Sequence, residues 1–317
     1  MKKIVITGAS GFIGKALIAA LNKQNWQIHA IVRQRLELWS PDVKQHVVAD
    51  LSSTDPDKLI RVMQDAHCVV HLAAVVPGKQ TETTVNATGE MAEVVAIAAA
   101  NAKVDRVIVL SSVYATLAET GSDQARSYGR EKLAADKIFE RYLSTPPAIF
   151  IRSPVVYGEG MSGSLLSLAK LISKGIFLPL GLANERRSYI SKSNLIGLIC
   201  TLVEAEERRW LLTSGRKYVP TDGKAVATSD VVRAIAVGLG TNARLLPVPI
   251  SIVRNLGRVF GKEELVSGAL DPLEFDDNAL LLSDYGWEPH EVFPESHRHW
   301  PRQALGLRPS GQATKHA

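Results

Sequence analysis

Cysteine is nearly absent from this 317-residue chain: Cys68 and Cys200 are the only two. They stand far apart, each in an apolar stretch, which reads as buried free thiols rather than a disulfide or a reactive site. Aromatic residues make up 6%, so Val, Ile, Leu and Ala must fill the interior, as between a parallel sheet and its helices. No apolar run approaches the roughly 18–20 residues a membrane span needs. Met1-Lys2-Lys3 leads into only a few apolar residues before Thr7-Gly8, which is not a signal-peptide pattern. Cytoplasmic residence without a membrane partner is therefore the expectation. Lysines and arginines are scattered, with no stripe interleaved by aromatics, which argues against nucleic acid. No internal repeat is visible. His297-Arg298-His299 near the C-terminus reads as a solvated end, and no metal is expected. The net charge of +5 suits a polyanionic small molecule such as a nucleotide.

What is present is an alternation of short β-branched runs and helical patterns. Candidate strands are Lys3–Thr7, Gln27–Val32, His46–Ala49, Cys68–Leu72, Arg106–Leu110 and Ala148–Arg152. Helical patterns lie between them at Ile13–Gln24, Asp57–Ala66, Thr84–Asn101 and Ser127–Leu143. Such alternation predicts right-handed βαβ units and a Rossmann-type, doubly wound parallel sheet in the α/β class. Beyond Ser153 the regularity falls away, with helices expected at Ser164–Lys174, Ser193–Ala205, Ser229–Leu239 and Ile250–Phe260. Leu245-Leu246-Pro247-Val248-Pro249 reads as an edge segment, because proline cannot donate into a ladder. The expected organisation is a dinucleotide-binding domain over 1–157 and a smaller, partly intertwined substrate-binding lobe over 158–294. Some segments of that lobe would return to the first domain, and a flexible tail would follow from 295.

Thr7-Gly8-Ala9-Ser10-Gly11-Phe12-Ile13-Gly14 sits between the first strand and the first helix. Gly8 allows the tight turn, Gly11 lets backbone approach a pyrophosphate, and Gly14 lets helix and strand pack closely. The helix start offers unpaired N–H groups to phosphate. Ser10, Phe12 and Ile13 belong to the same turn.

Tyr128-Gly129-Arg130-Glu131-Lys132 places a phenol and an ammonium at i and i+4 on one helix face. A phenol titrates near 10 and is a weak base at neutral pH. A neighbouring ammonium, with a nicotinamide also carrying positive charge, is expected to lower that value. Tyr128 would then take a hydroxyl proton as hydride leaves, or give one as hydride arrives. Ser111-Ser112 ends the preceding strand, where open α/β sheets bind ligands. A hydroxyl there either holds the reacting oxygen against the tyrosine or simply caps a turn.

Taken with Ile151-Arg152-Ser153-Pro154-Val155-Val156-Tyr157-Gly158, these motifs resemble the extended short-chain dehydrogenase/reductase superfamily. More narrowly, they resemble its NAD(P)-dependent nucleotide-sugar epimerase/dehydratase branch. His71-Leu72-Ala73-Ala74 and Asn86-Ala87-Thr88-Gly89 match further motifs of the branch. The resemblance implies that Ala73, Ala74, Pro154 and Val156 line the cofactor, that Asp50-Leu51 meets its adenine, and that Lys132 also binds the nicotinamide ribose. It assigns the catalytic serine to Ser112, beside Tyr128 and Lys132, with Ser112 and Tyr128 also touching substrate. Arg186-Arg187-Ser188-Tyr189-Ile190, Thr221-Asp222-Gly223 and Tyr285-Gly286-Trp287-Glu288-Pro289 are similar to bacterial polysaccharide-cluster members. Those members are 4-epimerases or 4-keto reductases of UDP-sugars. Arg187 is the candidate for a substrate pyrophosphate, since guanidinium suits bidentate phosphate contacts; a surface arginine is the other reading. The tract between Ser112 and Tyr128 is shorter than in many members and reads Val113-Tyr114-Ala115, so a different sugar pocket is expected. A homodimer through the helices Thr84–Asn101 and Ser127–Leu143 is implied as well.

The second strand ends Ala30-Ile31-Val32-Arg33-Gln34-Arg35, without the acid that NAD readers place there for the ribose hydroxyls. Arg33 can meet a 2′-phosphate, so NADP is favoured over NAD, with an exposed loop arginine as the alternative. Ser112, Tyr128 and Lys132 serve 4-epimerisation and 4-keto reduction equally. Two further readings stay open: an NADPH-dependent reductase of a non-sugar ketone or aldehyde, and a non-catalytic NAD(P)-binding protein.

Overall fold

A computed structural model describes residues 1–37, 39–75, 86–143, 146–261, 263–293 and 300–307. The start of the helix expected from Thr84 and the histidines at 297 and 299 lie outside these. Seven strands form one parallel sheet: β1 (Lys2–Thr7), β2 (Trp26–Val32), β3 (Lys44–Val47), β4 (Cys68–His71), β5 (Val107–Ser112), β6 (Ala148–Ser153) and β10 (Lys217–Tyr218). Their order is β10-β6-β5-β4-β1-β2-β3, with parallel pairing at each junction. The order reverses between β1 and β4, and a doubly wound sheet opens its ligand crevice at that switch point, beyond the strands' carboxyl ends. Every residue of β4 and β6 is buried, which explains why these strands read as continuous rather than alternating apolar runs.

Helices α1 (Phe12–Leu21), α2 (Pro56–Met63), α3 (Ala87–Asn101) and α5 (Arg126–Tyr142) connect the strands. Val5, Val69, Val107 and Phe150 of the sheet share a core with Leu59 and Met63 of α2, Ala92, Ala96 and Ala99 of α3, and Phe139 of α5. The small side chains of α3 let it lie close to α5. Between β5 and α5 the chain forms a further helix, α4 (Val113–Glu119), then a 3-10 turn over Asp123–Ala125. The sequence reading left this tract unassigned.

The chain divides into two compact units. The first comprises Met1–Pro154, Ile196–Pro220 and Asp277–Glu288; the second comprises Val155–Leu195, Thr221–Asp276 and Pro289–Ala317. In the first, α7 (Lys192–Glu204, from Ile196 on), α8 (Glu207–Thr213), β10 and α12 (Asn278–Tyr285) complete the sheet domain. Trp210 of α8 is fully buried, donates to the Leu202 carbonyl, and lies under the Arg106 guanidinium. The second unit holds two short β pairs: β7 (Val155–Tyr157) with β9 (Tyr189–Ser191), and β8 (Arg186–Arg187) with β11 (Val226–Ala227). Its helices are α6 (Ser164–Ser173), α9 (Thr228–Leu239), α10 (Ile250–Val259), α11 (Glu263–Leu270) and α13 (Trp300–Ala304). Its polar centre is the buried Asp222, which accepts from the Tyr157 hydroxyl, the Ser191 N–H and Asn194 Nδ2. The expected edge segment at Leu245 makes a single parallel bridge with Leu178. Among the described residues no helix is long and apolar enough to cross a membrane.

Candidate active site

Gly8 takes a left-handed φ of +66°, and a Cβ there would meet the backbone of Leu72 and Ala73 at 2.7–2.8 Å. The glycine turn and the end of β4 are thus pressed together at the switch point. A Cβ on Gly14 would fall 2.5 Å from the carbonyl oxygens of Gly8 and Ala9, so α1 docks onto the turn with backbone in contact. The turn closes with Gly11 N–H donating to the Gly8 carbonyl at 2.9 Å. Helix α1 begins with no side-chain cap and no acid in its first turn. No first-turn carboxylate stands there to repel an anion. Ser10 and Phe12 are half-buried, Ile13 is buried, and Ala73 and Ala74 are half-exposed at the adjacent strand end.

Ser10 also lines a cleft of about 380 Å³ with Arg33, Gln34 and Leu36. Arg33 is exposed, and no carboxylate stands among the described lining residues. Asp50 is tied into its own turn, accepting from the Ser52 N–H and hydroxyl and from the Ser53 hydroxyl at 2.8–3.0 Å. Those hydrogen bonds, Ser52 foremost, hold its carboxyl below the usual range. Leu51 is buried in the core beside α2.

Ser112 ends β5, is 6% exposed, and accepts the Tyr114 N–H as the cap of α4. The capping reading of this serine is met, and its hydroxyl also acts on the Tyr128 phenol. Tyr114 meets Tyr128 edge to face at 6.1 Å. Gly129 permits this arrangement, since a Cβ there would lie 2.5 Å from the Tyr114 carbonyl oxygen. Lys132, one turn beyond Tyr128, is buried and donates to the Leu110 carbonyl at 3.0 Å.

The electrostatics differ from the sequence expectation at one point. Burial raises the Tyr128 phenol above its ordinary value, with the Ser112 hydrogen bond pulling the other way. The expected lowering by Lys132 is not produced by the chain's own groups. The ammonium is directed to the Leu110 carbonyl, and its own value is lowered by burial. His71, at the end of β4, shares a 2.8 Å hydrogen bond with Thr7. Burial first, and Lys132 second, push it down to about 3, so it is neutral.

Sequence reasoning missed the charges beneath Lys132. Asp136 is 1% exposed, raises the Lys132 value, and accepts from Arg152 Nε at 3.0 Å. Arg152, itself 2% exposed, also pairs with Glu119 of α4, and Glu119 pairs with Lys217 of β10. The signal was available: Tyr128, Lys132 and Asp136 stand at i, i+4 and i+8 on one face of α5. Pro154 closes the first unit, buried at the carboxyl end of β6. Val156 lies on β7 in the second unit. Arg187, also in the second unit, is buried, and its Nη1 donates to the Asp271 carbonyl. Asn86 precedes α3 without capping it through its side chain.

A Rossmann sheet with a glycine turn at its switch point and a Ser–Tyr–Lys set on the adjoining strand and helix defines a class of nicotinamide-dependent enzymes. The chain belongs to the NAD dependent epimerase/dehydratase family, whose model matches residues 4–210, and it is an enzyme of that family. It is similar to a UDP-glucose 4-epimerase of Vibrio cholerae, at 29% identity over 93% of each chain. A ceramide reductase of Caulobacter vibrioides is also 29% identical, over 78% of this chain and 73% of that protein. Among solved structures, the UDP-N-acetylglucosamine 4-epimerase of Bacillus cereus superposes with a TM-score of 0.70 at 16% identity, covering 97% and 100% of the two chains. At that identity the likeness is one of fold.

Proposed function

We propose that this enzyme epimerises the C4 carbon of a UDP-hexose or UDP-N-acetylhexosamine. The observation that carries the reading is that Ser112 at the end of β5 acts on the Tyr128 phenol of α5, with buried Lys132 one turn further along the same helix. Bound NAD(P) supplies a hydride acceptor that later returns the hydride. Gly8, Gly11, Gly14 and the uncapped start of α1 fit its pyrophosphate. Ser10 and Arg33 fit an adenosine 2′-phosphate, which favours NADP. Ala73, Ala74, Asp50, Leu51, Pro154 and Val156 are the other proposed cofactor contacts.

Tyr128 Oη removes the proton of the sugar C4 hydroxyl and gives it back once the keto sugar has turned its other face. Ser112 holds the same oxygen in reach of Tyr128 throughout. Lys132, aimed by the Leu110 carbonyl and favoured as an ammonium by Asp136, is the proposed partner of the nicotinamide ribose, and Arg152 holds Asp136 in place. Arg187, its guanidinium plane set by the Asp271 carbonyl, is the proposed partner of the substrate pyrophosphate.

The similarity to a UDP-glucose 4-epimerase over nearly the whole chain supports this reading. A second reading, NADPH-dependent reduction of a ketone, draws on the carboxylate-free cleft at Arg33 and on the ceramide reductase relative. Incubation with UDP-glucose and UDP-N-acetylglucosamine separates the two. Inversion at C4 without net change in cofactor is expected. Stoichiometric NADPH loss with a 4-keto sugar or a lipid ketone, and no inversion, would establish the reductase instead.

A further inference from the structure

Helix α10 carries more apolar surface than its unit covers. Its core side is Val253 and Gly257, with Val266 of α11 set so close that a Cβ on Gly257 would meet it at 2.7 Å. Ile252, Leu256, Val259 and Phe260 recur at i, i+4, i+7 and i+8 on a second face. They are 48%, 48%, 79% and 71% exposed. Ser251, Arg254, Asn255 and Arg258 make up the polar side. Single exposed apolar residues are ordinary, but a helical row of four is not, and such rows mark surfaces that meet something.

The neighbouring backbone extends the feature. Leu178 is joined to the 244–246 segment by two 2.8 Å backbone bonds, Leu178 N–H to Arg244 C=O and Leu246 N–H to Leu178 C=O. Next to these, Phe177 and Leu246 are 58% and 42% exposed.

Charge identifies the occupant. The stretches 164–184 and 240–261 contain Lys170, Lys174, Arg244, Arg254 and Arg258 and no Asp or Glu. Arg254 and Arg258 pair with Asp271 and Glu263 from outside those stretches. Lys170 and Lys174 are exposed. Arg244 lies over the exposed Phe177 ring, 5.4 Å from its centroid, and donates to the Gly175 carbonyl. Exposed apolar side chains beside cations on an amphipathic helix match the interfacial helices of peripheral membrane proteins. A second copy docked through the same patch would bring these cations face to face about a twofold axis.

We propose that the α10 face and its basic border dock on an anionic lipid bilayer, holding the enzyme at a membrane surface without spanning it. This inference is independent of the roles given to Ser112 and Tyr128. The test is flotation of the full chain with phosphatidylcholine vesicles, with and without about a third of phosphatidylglycerol. Binding to the anionic vesicles only, weakened by salt, is expected. The variants Leu256→Ser/Phe260→Ser and Lys170→Glu/Lys174→Glu should each weaken it about tenfold or more. Both should keep the melting temperature and solution turnover of the parent chain, since the substituted groups are exposed. No flotation at low salt, or flotation that neither variant alters, would overturn the proposal. So would a parent dimer that Leu256→Ser/Phe260→Ser converts to a monomer without any vesicle binding.

Discussion

At the scale of residues, burial sets ionisation around the carboxyl edge of the sheet. His71 stays neutral in the folded chain, its value depressed from 6.5 to about 3, so between those values only the unfolded chain takes up the proton. The resulting stability is complete above about pH 6.5 and is lost as pH falls, by up to roughly 1.4 kcal/mol per pH unit. His71→Asn should flatten the slope of stability against pH between about 6 and 4, as read by urea unfolding; an unchanged slope would refute the assignment. Tyr128→Phe removes the proton carrier without touching the glycine turn. It should lower turnover by about a hundredfold or more while cofactor binding, followed by nicotinamide fluorescence, is retained. Arg33→Ala should weaken NADP by roughly tenfold or more, the loss of one charge-assisted phosphate contact, and leave NAD affinity unchanged.

Among elements, the contact between α4 and α5 sets the reactive pair. Gly129 packs against the Tyr114 carbonyl with no room for a methyl group. Gly129→Ala should push the helices apart, costing about 1–3 kcal/mol in denaturation. It should also lower kcat more than it raises KM, because Tyr128 leaves its place beside Ser112. The buried Arg152–Asp136 pair ties the same helix to β6. Asp136→Ala would leave the buried guanidinium with Glu119 as its remaining carboxylate, at a cost of up to about 3–5 kcal/mol in denaturation. None of this was visible from the tract Val113–Ser127, which lacks strong periodicity and forms a helix because Ser112 caps it and α5 covers it.

For the whole molecule, the sheet domain is not one stretch of chain. Residues 196–220 and 277–288 return to it and bring β10 against β6 and Trp210 against Arg106. A fragment of residues 1–154 should therefore lack a cooperative thermal transition, and a sharp melt of that fragment would contradict this. The inner strands of the first half were legible because they are buried on both faces and carry an apolar run, whereas β3 is a half-exposed edge strand. The returning segments were not, because β10 is two residues long and α8 and α12 are short, and their apolar residues gain meaning only from a distant partner.

By itself the sequence determined the α/β class, the glycine turn and the Tyr128–Lys132 face, since each depends on spacing within a few residues. The resemblance of those motifs pointed to the family. Only the tertiary structure decided that Ser112 caps α4, that Asp136 and Arg152 lie beneath Lys132, and that burial rather than the ammonium dominates the phenol. Those outcomes depend on which strands become neighbours and how much water they exclude, and neither quantity is local to the chain.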